Sequence, residues 1–434
     1  MENSKLIKIF DRVIFVCLCL LMFCLPFTKA GVETFAWLAI FLFIFKKILE
    51  YKLHPSGRML QKTPLNIALA ILIAANIMSL IFSVNTALSL RGFFGKQLKF
   101  VAIFFLVSET INSKKRLKIF LLTIFAILVL LAVDLYIQYV TGYDFLRGYK
   151  GFSLDWPCEM LRASFGTSGD FAGWLLIILP FCIGALFTQG FFDKRDKIEF
   201  SALIFVFLIC LLFTFSRGAW LGAIIGSLLL AFYWFKYEKS KAKVKCLCWA
   251  LCLILIFVFL PKQVKNKGEN FVRHSIRQSG PVIDRIKSIG QTNKGSNLER
   301  IRLWQEALNI TRDYPLFGCG LNTYSIVARK YKIAEGGGIY AHNSFLQMAA
   351  ETGLIGLFAF FLVIFAFFIS ALSHLNKTRN PLVLGLAAGI LGFLVQSFFD
   401  TNLYALQLVV LFWFSLGLTI AIIRLDQNEK ERIQ

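Results

Sequence analysis

An all-α, polytopic integral membrane fold is predicted by three observations. Hydrophobic residues make up 57% of the 434-residue chain, and the mean hydropathy is +0.68. Apolar runs of roughly 15 to 22 residues recur along it, the length that bilayer-spanning helices require. The basic residues, finally, are distributed very unevenly among the segments between those runs.

Taken in order, the runs are Val13 to Phe27, Val32 to Phe45, Leu65 to Ser83, Phe100 to Ile111, Ile119 to Val140 and Phe171 to Phe187. Phe200 to Phe215, Ala219 to Phe235, Cys246 to Leu260, Thr352 to Leu372, Leu382 to Phe399 and Leu403 to Ile423 follow. About twelve spans are therefore expected, since each run is as apolar as a helix facing lipid must be. The division that results is 1–260 for spans one to nine, 261–341 for a large outer loop, and 342–434 for the last three spans and a tail. A basic start, an apolar run and Thr28-Lys29-Ala30 imitate a secretory signal peptide, but the runs that follow favour an uncleaved first helix.

Charge orients this bundle. With the N-terminus inside, the inner segments collect 25 Lys and Arg residues and the short outer ones only eight: Lys29, Arg91, Lys96, Lys99, Arg147, Lys150, Arg162 and Arg217. That asymmetry obeys the positive-inside rule with both termini cytoplasmic. The long outer loop adds fourteen basic against six acidic side chains, a net of +8 that should attract phosphorylated lipids or sugars. The overall +22 is thus chiefly a topology signal, and no nucleic-acid-binding pattern accompanies it.

Metal and disulfide chemistry find little support. Most of the ten cysteines lie in or beside apolar runs, where Cys behaves as a small hydrophobe. Cys246 and Cys248 lack partner ligands, and Cys158 and Cys319 share the outer side without spacing that fixes their separation. Only His274 and His342 of the four histidines fall outside. Asp155, Glu159 and Asp170 have no distinctive metal-ligand spacing, so no metal or other cofactor is expected.

Within the loop, Ser296-Asn297-Leu298-Glu299 has capping-box spacing, and the helix it opens stops at Asp313-Tyr314-Pro315. Arg300 and Trp304 lie one turn apart on that helix. Gly318-Cys-Gly320 forms a turn, and Glu335 to Gly338 a glycine-rich approach to Ala341-His342-Asn343. His342 places a titratable imidazole where a wet loop enters the bilayer. Asn343 is suited to cap the next helix, whose dipole favours the neutral, proton-accepting ring. Arg217, at a tight outer turn, reads either as a site cation or as a headgroup anchor, and Gly218, Gly222 and Gly226 behind it permit close helix packing. Arg91, Lys96 and Lys99 invite a phosphate-binding reading beside an interfacial one. Asp400, at another outer turn, reads as an orienter of an arginine or of the histidine, or as a simple turn residue.

These residues resemble the O-antigen ligases, within a wider group that includes O-antigen polymerases. The family pattern is His, then Asn, Ser or Gln, nine residues, and Gly-x-x-Gly or Gly-x-x-Thr. His342-Asn343, Ser344 to Thr352 and Gly353-Leu-Ile-Gly356 match it without a gap. Arg300-Ile-Arg-Leu-Trp304, Pro315-Leu-Phe-Gly318-Cys-Gly320 and Ser216-Arg217-Gly218 resemble the wider group.

The resemblance implies a GT-C-like, inverting, metal-independent glycosyltransferase of the bacterial inner membrane. Its donor would be an undecaprenyl-diphosphate-linked glycan and its acceptor a sugar hydroxyl of lipid A-core, at the periplasmic face. His342 would be the general base, and Arg217 and Arg300 would stabilise the departing diphosphate. Arg91, Lys96, Lys99, Asn343 and Asp400 would be substrate-binding candidates. A polymerase joining two lipid-linked glycans is the alternative, and a transporter or flippase the second, although no internal repeat is evident.

Overall fold

The computed structural model describes residues 2–53, 55, 60–151, 160–237, 296–333 and 339–433. Among the described residues the regular structure is helical, with one isolated bridge between Tyr143 and Lys150. The helices are α1 (Glu2–Phe27), α2 (Lys29–Leu53), α3 (Asn66–Ile81), α4 (Thr86–Gly92), α5 (Lys99–Thr110), α6 (Lys114–Thr141) and α7 (Ser168–Phe187). They continue with α8 (Lys194–Phe213), α9 (Arg217–Tyr237), α10 (Ser296–Asp313), α11 (Tyr324–Val327), α12 (Ser344–Thr378), α13 (Pro381–Ser397) and α14 (Leu406–Ile433). A π-helical turn, Phe93–Leu98, joins α4 to α5.

Eleven of the apolar runs fall on these helices, and the twelfth, Cys246 to Leu260, lies outside the described residues. Among the described residues, six helices are long and apolar enough to cross a membrane: most of α1, α6, α7, α9, α12 and most of α14. The chain is a multi-pass membrane protein. Helices α3 and α13 are apolar but shorter.

Two compact units divide the chain, and each is interrupted in sequence. One comprises Met1–Thr123, Gly295–Thr378 and Ser397–Gln434. At its centre stands α14, whose apolar stretch is 94% buried, against 50% for α1 and 39% for α12. A helix that is hydrophobic all round must be enclosed on all sides, and α14 accordingly packs against α1, α2, α5 and α12. Phe120 stacks on Phe414 with ring centroids 5.1 Å apart. Helices α3 and α10 both pack along α12. The helix foreseen from Ser296 to Asp313 thus sits in the same unit as the span that follows His342.

The other unit comprises Ile124–Lys294 and Arg379–Gln396. Its glycine stripe does what the spacing foretold. A Cβ on Gly222 would lie 2.3 Å from the carbonyl oxygen of Gly392, and one on Gly226 2.7 Å from that of Ala388, so α9 meets α13 backbone to backbone. Gly385 and Gly184 make equally close approaches between α13 and α7. Without a hydrophobic driving force between helices in lipid, such contacts gain their stability from dispersion at short range.

Candidate functional site

Histidine 342 sits two residues before the first turn of α12, where the chain changes from loop to helix. Its φ is +48°, a left-handed conformation that His tolerates better than most residues. Asn343 is the cap: its side-chain oxygen accepts from the amides of Phe345 (2.9 Å) and Leu346 (3.0 Å). With that oxygen engaged, Asn343 is placed to fix the start of α12, and its side chain is buried.

Asp400 is brought to the histidine by backbone bonds. Both the amide and the hydroxyl of Ser344 donate to the Asp400 carbonyl, at 3.1 and 3.0 Å. The amide of Leu403 in turn donates to the Ser344 hydroxyl at 3.3 Å. His342 Nδ1 then lies 3.3 Å from Asp400 Oδ1, which also accepts the Thr401 amide at 2.9 Å. The imidazole side chain is 44% exposed, so its edge away from Asp400 is open to a reactant. Burial pushes the Asp400 carboxyl up, but the bond to His342, the charge of Arg300 and the Thr401 amide together hold it below the ordinary value. Asp400 is therefore a carboxylate at neutral pH. Its stabilising contribution is present above roughly pH 4 and is lost as pH falls through the lowered folded value.

Helix α10 supplies the remaining side of this arrangement. Arg300 acts electrostatically on Asp400, and Trp304, one turn on, donates its indole N–H to the His342 carbonyl at 3.4 Å. A small core of Ala307, Ile310, Cys319, Tyr324, Val327, Ala328, Ala341 and Ala350 locks α10 and the loop after it onto the start of α12. Glu306 reinforces it by accepting the Ile333 amide at 2.6 Å. Cys319 is buried beside Thr323, its thiol pushed up to about 12 by burial, so it behaves as a packing residue. Cys158, read from the sequence as lying on the same outer side, falls outside the described residues, as do His274, Asp155 and Glu159.

The Pro315–Gly320 turn and the Gly353–Gly356 pair form one interlock. Helix α12 breaks at Gly353, whose φ is +69° and ψ −178°. Leu354 and Ile355 there donate to the carbonyls of Pro315 (2.8 Å) and Leu316 (3.3 Å). On the near side of the break, the carbonyls of Ala350 and Glu351 accept from Cys319 (2.8 Å) and Gly320 (2.9 Å). The backbone groups freed by the break are thus satisfied by the turn, as a buried break requires. The partner that Gly353 admits at close range is the loop at Leu316 and Phe317. Gly356 faces the side chain of Thr352 on its own helix.

The other basic candidates divide. Lys96, on the π-helical turn, is exposed and donates to the Asn322 side chain at 2.6 Å, which draws it to the loop beyond Gly320. Arg91 is exposed in the last turn of α4. Lys99 departs from its expected role, because its side chain is 2% exposed and ion-paired with Glu33 at 2.7 Å. A lysine so far from water needs that carboxylate, which leaves no ammonium free for a phosphate. Arg217 belongs to the other unit, at the first position of α9 after Phe215, whose φ is +53°. It is half-buried, at a helix end where the dipole disfavours a cation and favours an anion beside it.

Sequence reasoning passed over Ser344, Gln347, Asn322 and Tyr404 as site residues, and left Glu351 without a role. Only Glu351, a carboxylate inside an apolar run, carried a signal strong enough to find it.

Part of the chain is similar to known proteins. A family model described as O-antigen ligase matches residues 202–361, a stretch that contains Arg217, Arg300, His342 and both glycines of the interlock. The chain is also 26% identical over 213 residues to the exopolysaccharide production protein ExoQ of Rhizobium meliloti (strain 1021). That alignment covers 45% of this chain and 49% of the relative, so the chain spans about half the length of the curated protein it matches.

Proposed function

From the match of residues 202–361 to the O-antigen ligase family model, we propose that this chain belongs to that family and transfers a glycan from an undecaprenyl-diphosphate carrier to a sugar hydroxyl of lipid A-core. It would do so as a GT-C-like bundle of about twelve spans in the bacterial inner membrane, both termini cytoplasmic and the site periplasmic. The observation that carries the reading is the pairing of His342 with Asp400 at the mouth of α12, under the charge of Arg300.

A sugar hydroxyl is a poor nucleophile until a base takes its proton. With Nδ1 turned to Asp400, the tautomer that pairing favours carries its proton there, and Nε2 is left as the acceptor. The hydroxyl oxygen attacks the anomeric carbon as its proton passes to Nε2, and the bond to the diphosphate oxygen breaks on the opposite face. The configuration inverts and both electrons leave with the diphosphate. Arg300 is proposed to stabilise that growing charge, with Lys96 and Arg91 guiding the anion in. The donor carries its own activation, so no metal or nucleotide enters the scheme.

Purified protein, lipid A-core and undecaprenyl-diphosphate glycan test this directly. Glycan attached to lipid A-core is the expected product. Longer lipid-linked chains with the core untouched would overturn the ligase assignment and support a polymerase. Glycan crossing the bilayer without transfer would point to a flippase. In the same assay, Asp400→Asn is expected to lower kcat roughly 10- to 100-fold with little change in KM, since it loosens the base without removing it.

A further inference from the structure

Glu351 is a buried carboxylate that this mechanism does not use, and four residues from three segments converge on it. One carboxylate oxygen accepts the Asn322 amide at 3.1 Å, the other the Tyr324 amide at 3.3 Å. The Tyr404 hydroxyl and the Gln347 side chain also act on it electrostatically. Each of the four leads back toward the site. Asn322 and Tyr324 belong to the loop that follows α10, the helix of Arg300 and Trp304. Tyr404 is four residues beyond Asp400. Gln347 lies one helical turn before Glu351 on α12, and its side-chain oxygen accepts the Ala341 amide at 3.2 Å, immediately before His342.

We propose that Glu351 is a positioning residue for His342, setting through Gln347 the backbone that presents the imidazole and through Tyr404 the turn that presents Asp400. A carboxylate suits the task because the Asn322 and Tyr324 amides donate one to each oxygen, and only an acceptor-only group receives both in that arrangement. A carboxamide of the same size would turn an N–H₂ toward one donor and reverse the Gln347 amide. Ala341 would then lose its acceptor, and the left-handed His342 backbone would lose its restraint. The inference rests on the proposed transfer reaction for its kinetic arm and stands apart from it in its exchange arm.

Glu351→Gln, Gln347→Leu and Tyr404→Phe, made in the full chain, provide the test. Kinetics in the transfer assay are expected to show kcat down about tenfold or more for Glu351→Gln, with donor KM held within about twofold. Combined with Asp400→Asn, the Glu351→Gln loss should be much less than multiplicative, because both act on one pair. In hydrogen–deuterium exchange, peptides spanning 341–347 and 398–406 should exchange faster in Glu351→Gln. Gln347→Leu should affect the first alone and Tyr404→Phe the second alone. Wild-type exchange at both peptides in Glu351→Gln would overturn the proposal whatever the substrate. So would a kcat loss that multiplies fully with that of Asp400→Asn. An inactive wild type with the expected exchange pattern would instead count against the donor or acceptor assigned above.

Discussion

Replacing His342 by Ala or by Asn should each reduce glycan transfer about 10²- to 10⁴-fold, the range that a general base contributes. The two variants separate chemistry from backbone. Ala at a φ of +48° costs on the order of 1–2 kcal/mol of local strain, whereas Asn visits the left-handed region readily. If the histidine acts by shape, Asn should restore much of the activity; if it acts as a base, both variants stay equally inactive with their fold intact. Because 44% of the imidazole side chain is exposed, neither change opens a core cavity, and thermal unfolding should move little. The measurement is kcat for core-attached product beside a melting curve in the same detergent. Full activity in the Asn variant would remove the base from the mechanism.

The helical architecture was legible because a membrane helix advertises itself: each apolar run among the described residues became helix, and the Gly222 and Gly226 spacing met Gly392 and Ala388 as small-residue packing demands. Arg300 and Trp304 were equally readable, since one turn of helix puts both on the face that meets His342 and Asp400. What sequence could not supply was pairing across distance. Asp400 reaches His342 only because Ser344 ties down its carbonyl, a relation over 56 residues that no local pattern encodes. Lys99 failed for a related reason, as its partner Glu33 stands 66 positions away and decides whether the ammonium is spent or available. Span counting had a limit of another kind: α3 and α13 are apolar but short, and length sets what a helix crosses unaided.

Gly353→Ala is expected to be the most damaging single methyl group in the chain. A Cβ there would lie 2.1 Å from the carbonyl oxygen of Leu316, 2.3 Å from its carbon and 2.5 Å from the Phe317 nitrogen. All three are backbone atoms, which cannot swing aside as a side chain does. Their position is held by four hydrogen bonds, from Cys319, Gly320, Leu354 and Ile355, that close the break in α12. Adding the methyl must displace the turn and strand several of these groups in a buried setting, at roughly 1–3 kcal/mol each. The backbone conformation adds its own cost, since a φ of +69° with a ψ of −178° belongs to a region populated almost only by glycine. A loss of about 4 kcal/mol or more is expected, seen as a collapsed yield of monodisperse protein and a lower melting temperature. Gly95→Ala is the control, because a Cβ at Gly95 meets nothing within 4 Å and should leave both unchanged. A folded, stable Gly353→Ala protein would mean that the turn yields freely, and the interlock would then not be what carries α10 to His342. Should the variant fold only on cooling or with added donor, transfer should fall with it, because the same turn connects Arg300 and Trp304 to the helix that His342 introduces.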